Sequence, residues 1–165
     1  MLSGFTVQRW KGTFSSGLTD DFNNPNRGIN RTNAYLQNDA TYMYKTAGTY
    51  NFPKGVTASA NFQHYTGYPI APAAVFTSGL NQRTETITVQ TRGVERLPAL
   101  NFLNARFGYN GRLTERIRMQ PAVDIYNLFK RNPYTAIVQT VGPNYKKPST
   151  ALGQRFVRFD LRIEF

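Results

Sequence analysis

The chain has 165 residues and no cysteine, and its 20 lysine and arginine residues against nine acidic residues give a net charge of +11. This length is enough for one ordinary domain with a core, and the lack of cysteine excludes a disulfide framework and a thiolate metal site. The ten tyrosines and twelve phenylalanines favour strands, while no apolar run approaches the roughly 18 residues of a transmembrane helix.

The first part of the chain predicts three strands. Residues 5–16 form the first, although their alternation is poor, and residues 17–38 form a connection rich in Asp, Asn, Gly and Pro. Residues 39–52 and 56–68 alternate more regularly and flank the turn Pro53-Lys-Gly55. They therefore predict an antiparallel hairpin.

Pairing across that turn gives a specific register. Each pair on one face then combines a large residue with a small one, which supports the register. The pairs are Tyr50 with Ala58, Gly48 with Ala60, and Thr46 with Phe62.

The second part predicts three further strands. A long connection over 69–98 leads to a strand at 99–109, and a second strand follows at 115–126. Another long connection, 127–154, leads to the strand at the end of the sequence. Asn110-Gly-Arg112 is a strong hairpin signal between the first two of these strands. Pro121 removes a hydrogen-bond donor from its strand, so we expect a bulge there.

The connections alternate long, short, long, short, long, which places every short turn at one end of the sheet and every long loop at the other. Bacterial outer-membrane barrels have this asymmetry, with short periplasmic turns and long outer loops. A soluble β-sandwich has no reason to sort loop lengths in this way. The sequence therefore predicts an all-β fold of six antiparallel, up-and-down strands that form an open, curved segment of a transmembrane β-barrel.

The last ten residues alternate most clearly. The odd-numbered positions form an apolar set: Val157, Phe159, Leu161, Ile163 and Phe165. The even-numbered positions form a largely charged set: Phe156, Arg158, Asp160, Arg162 and Glu164. Successive side chains of a strand point to opposite faces. Such a strand suits a wall that has lipid on one side and a polar lumen on the other.

Several short segments resemble bacterial outer-membrane proteins. Asp124-Ile-Tyr-Asn-Leu-Phe129, with Lys130-Arg-Asn-Pro133 after it, resembles a segment near the end of TonB-dependent receptors. Tyr50-Asn-Phe-Pro-Lys-Gly-Val56 and Tyr65-Thr-Gly-Tyr-Pro69 resemble a turn and a strand exit of the same family. The ordered set is most similar to the Oar-like subgroup. The terminal strand resembles the signal that the barrel-insertion machinery reads, carried here by Phe159, Leu161, Ile163 and Phe165.

The resemblance implies that residues 1–165 are one segment, the carboxy-terminal part of a longer receptor that takes up a ligand across the outer membrane. The whole barrel would have about 22 strands. No secretory signal follows Met1, so we expect a fragment that lacks the plug domain. The implied partners are outer-membrane lipid and lipopolysaccharide, the barrel-insertion machinery, and the TonB complex through the missing amino-terminal region. The chain would lie in the bacterial outer membrane, with its carboxy terminus periplasmic and its long loops extracellular. No cofactor is implied.

Aromatic residues predict two girdles, one at each edge of the membrane. Eight residues from Tyr42 to Tyr50 span roughly 19 Å at about 3.3 Å per residue and a tilt of about 45°. This distance is compatible with girdles that flank an apolar band of about 25 Å. The alternative interpretation is that they are ordinary strand residues of a soluble core. The girdle residues are Tyr42 and Tyr44 at the upper edge, and Tyr50, Phe52, Phe107 and Tyr109 at the lower edge.

Charged residues of the polar parity predict a lattice that faces the lumen. Its members are Arg106, Arg118, Asp124, Arg158, Asp160, Arg162 and Glu164. Pairing through the Asn110-Gly111 turn would place Arg106 beside Arg118, so Asp160 and Glu164 are expected close by to offset the repulsion. The lattice would either support the barrel wall or dock the plug that fills large transporter barrels. No catalytic or ligand role follows from these residues.

The basic surplus falls mainly in the predicted outer loops, where solvated charge is the default and contact with lipopolysaccharide phosphates is the alternative. These residues are Arg27, Arg31, Arg83, Arg92, Arg96, Lys130, Arg131, Lys146 and Lys147. Nucleic-acid binding needs Lys and Arg clustered with exposed aromatics on one face. The aromatics here alternate onto an apolar face instead, so we expect no nucleic-acid partner.

The sequence indicates no enzyme. The single histidine, His64, has no second histidine or cysteine at a metal-binding spacing, and no nucleophile elbow, P-loop or dinucleotide fingerprint is present. Two alternatives to the receptor stay open. One is a small self-contained β-barrel binding module with the apolar face inside, and the other is a passive outer-membrane channel.

Overall fold

The computed structural model of the chain describes residues 1–13, 28–77, 84–130 and 134–165. Its regular structure is mainly β-strand, with a 3-10 turn at Pro53–Gly55. In chain order the strands are β1 (Leu2–Val7), β2 (Lys11–Gly12), β3 (Ala34–Tyr35), β4 (Tyr42–Asn51), β5 (Val56–Tyr65), β6 (Ala73–Phe76), β7 (Glu85–Thr88), β8 (Leu100–Tyr109), β9 (Gly111–Arg112), β10 (Arg118–Tyr126), β11 (Tyr134–Ile137), β12 (Pro148–Ala151) and β13 (Phe156–Glu164).

One antiparallel sheet dominates the structure, with the spatial order β1-β4-β5-β8-β10-β13 and with β9 paired to β10. Each of the six main strands therefore lies beside the main strands that precede and follow it in sequence. The other strands form the ribbons β2–β3, β6–β7 and β11–β12 within the long connections. The predicted all-β, antiparallel sheet is confirmed. The sheet is not closed, because in the described part of the chain no strand pairs with the outer edge of β1 or of β13.

The predicted bounds of the first strand, 5–16, are wrong. The strand that joins the sheet is β1, which starts at Leu2 and ends at Val7. The chain leaves the sheet after Gln8 because the Trp10 amide donates to the Asp39 side chain at 2.8 Å instead of continuing the ladder. Residues 14–16 of the predicted strand lie outside the described residues.

The β4–β5 hairpin has the predicted register, with all three predicted pairs opposite each other. The turn closes with the Phe52 amide donating to the Val56 carbonyl at 2.8 Å. Lys54 and Gly55 both have left-handed backbone, with φ of 67° and 81°. The Gly55 carbonyl also accepts the Asn110 amide at 2.7 Å, and a Cβ on Gly55 would overlap the Asn110 carbonyl oxygen. Glycine is therefore required here for both its φ and its close contact.

The predicted hairpin between the strands at 99–109 and 115–126 is present as β8 and β10, but the predicted position of its turn, Asn110-Gly-Arg112, is wrong. Asn110 gives its amide to Gly55, so it continues the pairing with β5 and does not turn. The chain runs on through β9, and the turn closes later, with the Leu113 amide donating to the Ile117 carbonyl at 2.9 Å. Gly111 lies opposite Met119 within this ladder. Its missing side chain leaves room for the Tyr109 ring, which a Cβ would overlap.

The expected bulge at Pro121 is also absent. The register of β10 with β13 runs through Pro121, opposite Leu161, without a shift. The interruption lies on the other side of β10, where Gln120 and Pro121 have no paired residue on β8 or β9. A break in the ladder on that side accommodates the missing donor of the proline.

The long connections gather at the end of the sheet opposite the short turns, and they have a small core of their own. Its buried members are Ile70, Leu97 and Ile137, with Tyr68 and Tyr134 packed against them. No helix in the described ranges is long and apolar enough to cross a membrane. The connections therefore form a packed cap, which positions the loop residues.

We expect Gly55→Ala to lower the free energy of unfolding by about 1–3 kcal/mol through its left-handed backbone alone, with a further loss from the overlap with Asn110. Gly153→Ala is the control, because its Cβ would meet no atom within 4 Å. Chemical denaturation followed by circular dichroism measures both changes. Equal stability of the two variants would contradict the account of this turn.

Candidate functional site

The two faces of the sheet differ in chemistry, most clearly on β10 and β13. On β13, the apolar residues Val157, Phe159, Leu161 and Ile163 are between 46% and 78% exposed. The register places the apolar residues of β10 directly beside them on the same face: Met119, Pro121, Val123 and Ile125. The sheet therefore presents a continuous apolar face, and no described part of the chain covers these β13 side chains.

The polar face of the sheet carries a broad depression. A depression of about 500 Å³ extends from β1 to β10 across five neighbouring strands. Its polar lining consists of Thr49, Ser59, Asn61, Asn104, Arg106, Asp124 and Tyr126. We call the face that holds this depression the concave face. The apolar side chains of β10 and β13 lie on the opposite face, which we call the convex face.

Four charged side chains form a cluster, the tetrad, at the centre of the polar face. Asp124 accepts two hydrogen bonds from Arg106 Nη1, at 3.0 and 2.8 Å, and two from Arg158, at 3.1 and 2.7 Å. Asp160 lies 3.2 Å from Arg106 and 3.1 Å from Arg158. The Asp124 side chain is only 7% exposed. Two carboxylates thus neutralise two guanidinium groups across three strands.

The predicted neighbour of Arg106 was wrong, because the expected turn was misplaced. The register sets Arg106 opposite Asp124, and Arg118 lies opposite Arg112. Asp160 is close to the arginines, as expected, but Glu164 pairs with Arg162 at 2.8 Å. The structure thus brings four of the seven predicted lattice residues together and leaves Arg118, Arg162 and Glu164 nearer the short-turn end.

The predicted girdle residues fall into two groups at opposite ends of the sheet. Phe107 and Tyr50 both lie opposite Ala58, close to the short turns. The Tyr50 and Phe52 rings are in edge contact, with centroids 4.6 Å apart. At the other end, Tyr42 stacks with Phe5 at 6.3 Å. All of the predicted girdle residues except the half-buried Tyr44 are exposed.

Residues 124–129, one of the segments with a resemblance to a known family, form the end of β10 and the chain's exit from it. Asn127 has left-handed backbone, with φ of 54°. Its backbone amide donates to Asn104 Oδ1 at 3.1 Å and so does not continue the strand ladder. Its side-chain nitrogen donates to the Gly153 carbonyl at 3.0 Å. The next amide, of Leu128, donates to Leu103 at 2.8 Å. These bonds tie the exit of β10 to β8 and to the last long connection.

Sequence reasoning missed a second charged cluster, which lies in the cap. Asp39 is fully buried and accepts bonds from the Trp10 amide at 2.8 Å, from Arg96 at 2.7 Å and from the Thr41 hydroxyl at 3.0 Å. Burial opposes ionisation of Asp39, but these three donors outweigh it and hold the pKa of the carboxyl below its usual value. The guanidinium of Arg96 lies over the Tyr35 ring, 4.6 Å from its centroid.

The default expectation of solvated loop charge is therefore wrong for Arg96, which also donates to the backbone carbonyls of Asp39 and Gly67. Lys146 is likewise paired, with Glu95 at 2.7 Å, and this pairing raises the pKa of Lys146. The sequence offers little signal for the Asp39–Arg96 pair, because its members are 57 residues apart. Arg27, Arg83 and Arg131 lie outside the described residues.

Comparisons of the chain with protein-family models, with curated proteins and with solved structures found no match. The resemblance to TonB-dependent receptors therefore depends on the short sequence segments alone. The described residues contain no group of three or more His, Asp or Glu side chains that could hold a metal ion. His64 Nδ1 lies 2.7 Å from Asn101 Oδ1 within the sheet.

We expect Asp124→Asn to destabilise the sheet more than Glu164→Gln. The first change leaves Arg106 and Arg158 with one carboxylate between them, whereas the second removes one exposed ion pair, which contributes little. Thermal unfolding followed by circular dichroism compares the two variants. A lower midpoint for Glu164→Gln than for Asp124→Asn would contradict the central role of the tetrad.

The lowered pKa of Asp39 predicts an acid-sensitive cap. The native carboxylate binds protons less readily than the unfolded one, so its contribution to stability is present above the ordinary pKa of 3.8 and is lost as the pH falls through the lower native value. Trp10, the only tryptophan, reports on this site through its fluorescence. Trp10 fluorescence should change as the pH is lowered. Asp39→Asn should remove this change, and Asp160→Asn should leave it. A transition unchanged by Asp39→Asn would exclude this carboxyl as its source.

Proposed function

We propose that the chain forms part of the wall of a TonB-dependent outer-membrane receptor barrel, which takes up a ligand across the outer membrane. The observation that carries this proposal is the orientation of the two faces. The convex face is apolar and exposed, and the concave face holds the tetrad. A membrane barrel needs this arrangement, with lipid outside and a polar interior.

The energetics of the convex face support the same conclusion. Transfer of a large apolar side chain from water to an apolar environment is favourable by about 1.5–3 kcal/mol, and soluble monomers rarely leave large contiguous apolar patches in water. On this face, β13 and the residue after it expose five apolar side chains: Val157, Phe159, Leu161, Ile163 and Phe165. Hydrocarbon chains would cover this face without any further part of the protein.

The concave face argues against the soluble module. In a small soluble barrel the apolar side chains fill the interior, and the charged side chains point outwards. Here Arg106 and Asp124 line the depression, while Leu161 and Phe159 are exposed on the other side. A self-contained module would have to cover these apolar side chains, and they are exposed in the described part of the chain.

The open edges support a larger barrel. Single-chain outer-membrane barrels start at about eight strands, and an unpaired strand edge within lipid would leave backbone donors and acceptors without partners. The outer edges of β1 and β13 therefore need further strands, which the rest of a longer receptor would supply. The short turns would be periplasmic, and the packed cap of long connections would be extracellular, next to lipopolysaccharide. The barrel-insertion machinery and the TonB complex are the proposed partners of the complete receptor.

A fluorescence experiment in lipid tests which face meets hydrocarbon. The chain has no cysteine, so single-cysteine variants at Leu161 and Arg162 can each carry an environment-sensitive label. In vesicles with brominated acyl chains, the label at position 161 should be strongly quenched and the label at its neighbour 162 weakly quenched. Phe159 and Ile163 provide two further lipid-facing positions.

Far-UV circular dichroism of each labelled variant serves as the control for folding. Equal quenching at 161 and 162 would mean that the sheet does not separate lipid from a polar interior. Stronger quenching at 162 would indicate the inverted curvature of a soluble module. Either result would overturn the proposed function.

A further inference from the structure

Two arginines face each other at the short-turn end of the polar face. Arg112 on β9 and Arg118 on β10 are directly opposite in the ladder. Like charges in this position repel and destabilise a strand pair. Arg162 lies on the same face one strand away, opposite Gln120. We call Arg112, Arg118 and Arg162 the arginine corner.

Carboxylates do not compensate this corner. Glu164 lies opposite Arg118 but pairs with Arg162 at 2.8 Å. Among the described residues, neither Arg112 nor Arg118 makes an ion pair. Three guanidinium groups and one carboxylate therefore leave two positive charges without a partner. The tetrad, one row further into the sheet, differs from the corner because its two arginines are balanced by two aspartates.

The corner also has space for a ligand. A depression of about 350 Å³ is lined by Asn110, Gly111, Arg112, Arg118 and Gln120, with no acidic residue among them. A neighbouring depression shares Asn110 and Gln120 and adds Arg162. The one acidic residue that lines this neighbour is Asp160, which is already bound to two arginines of the tetrad. Gln120, which lines both depressions, has no paired residue on β8 or β9.

We propose that the arginine corner binds a small polyanion, a molecule that carries adjacent phosphate or carboxylate groups. Guanidinium groups bind such oxyanions through two parallel hydrogen bonds. The side-chain amides of Asn110 and Gln120 supply further donors. The anion would relieve the repulsion between Arg112 and Arg118. This proposal depends only on the polar face, and it stands whether or not the other face meets lipid.

Isothermal titration calorimetry of the full chain, in a solution that keeps the sheet folded, tests the proposal with pyrophosphate and with citrate as probes. We expect the double variant Arg112→Gln/Arg118→Gln to bind the preferred anion at least about tenfold more weakly. The matched control is Arg116→Gln, which removes an exposed arginine of the adjacent turn without touching the depression. It should change the affinity by less than about twofold.

The two anions distinguish phosphate from carboxylate as the preferred group. Absence of binding by both anions, or equal weakening by Arg116→Gln, would overturn the proposal, because the second result would reflect general charge attraction. Unfolding without ligand gives an independent readout. Arg112→Gln removes one member of a repelling pair, so its midpoint of thermal unfolding should be higher than that of the unchanged chain. A lower midpoint would show that Arg112 already has a stabilising partner.

Discussion

The alternation of side chains along six neighbouring strands determines the chemistry of this sheet. From β4 to β13 the continuous register keeps a mainly apolar set of side chains on the convex face and a mainly polar set on the concave face. A shift by one residue would exchange the two faces of a strand. The proposed membrane barrel would give each face the environment that suits it, with lipid on the apolar side and a polar interior on the other.

The charged residues divide the concave face into regions with different energetic roles. In the middle, Asp124 is nearly buried between two arginines, and Asp160 completes a neutral cluster across three strands. Towards the short turns, Arg112 and Arg118 repel each other without a carboxylate partner. A neutral cluster stabilises the pairing of strands, whereas an uncompensated cluster is suited to bind an anion. The loop cap is organised separately, around the buried carboxylate of Asp39.

Local signals predicted much of the fold, and long-range contacts explain the failures. The β4–β5 hairpin was predicted with its register, because turn chemistry and alternation are both local in the sequence. The hairpin of β8 with β10 was predicted, but its turn was placed too early, because the Asn110 amide pairs with Gly55, a residue far away in the chain. The Asp39–Arg96 pair had no sequence signal for the same reason. Charge on the polar face was predicted from parity, but its pairing required the correct register.

The proposed function requires hydrocarbon chains to cover the convex face of the sheet. Flotation of the refolded chain with lipid vesicles on a density gradient, after a urea wash, measures this association. The chain should float with the vesicles and keep its strand content by circular dichroism. A chain that stays in the dense fractions as a soluble monomer without detergent, with Leu161 packed beneath its own backbone, would show that hydrocarbon does not cover this face.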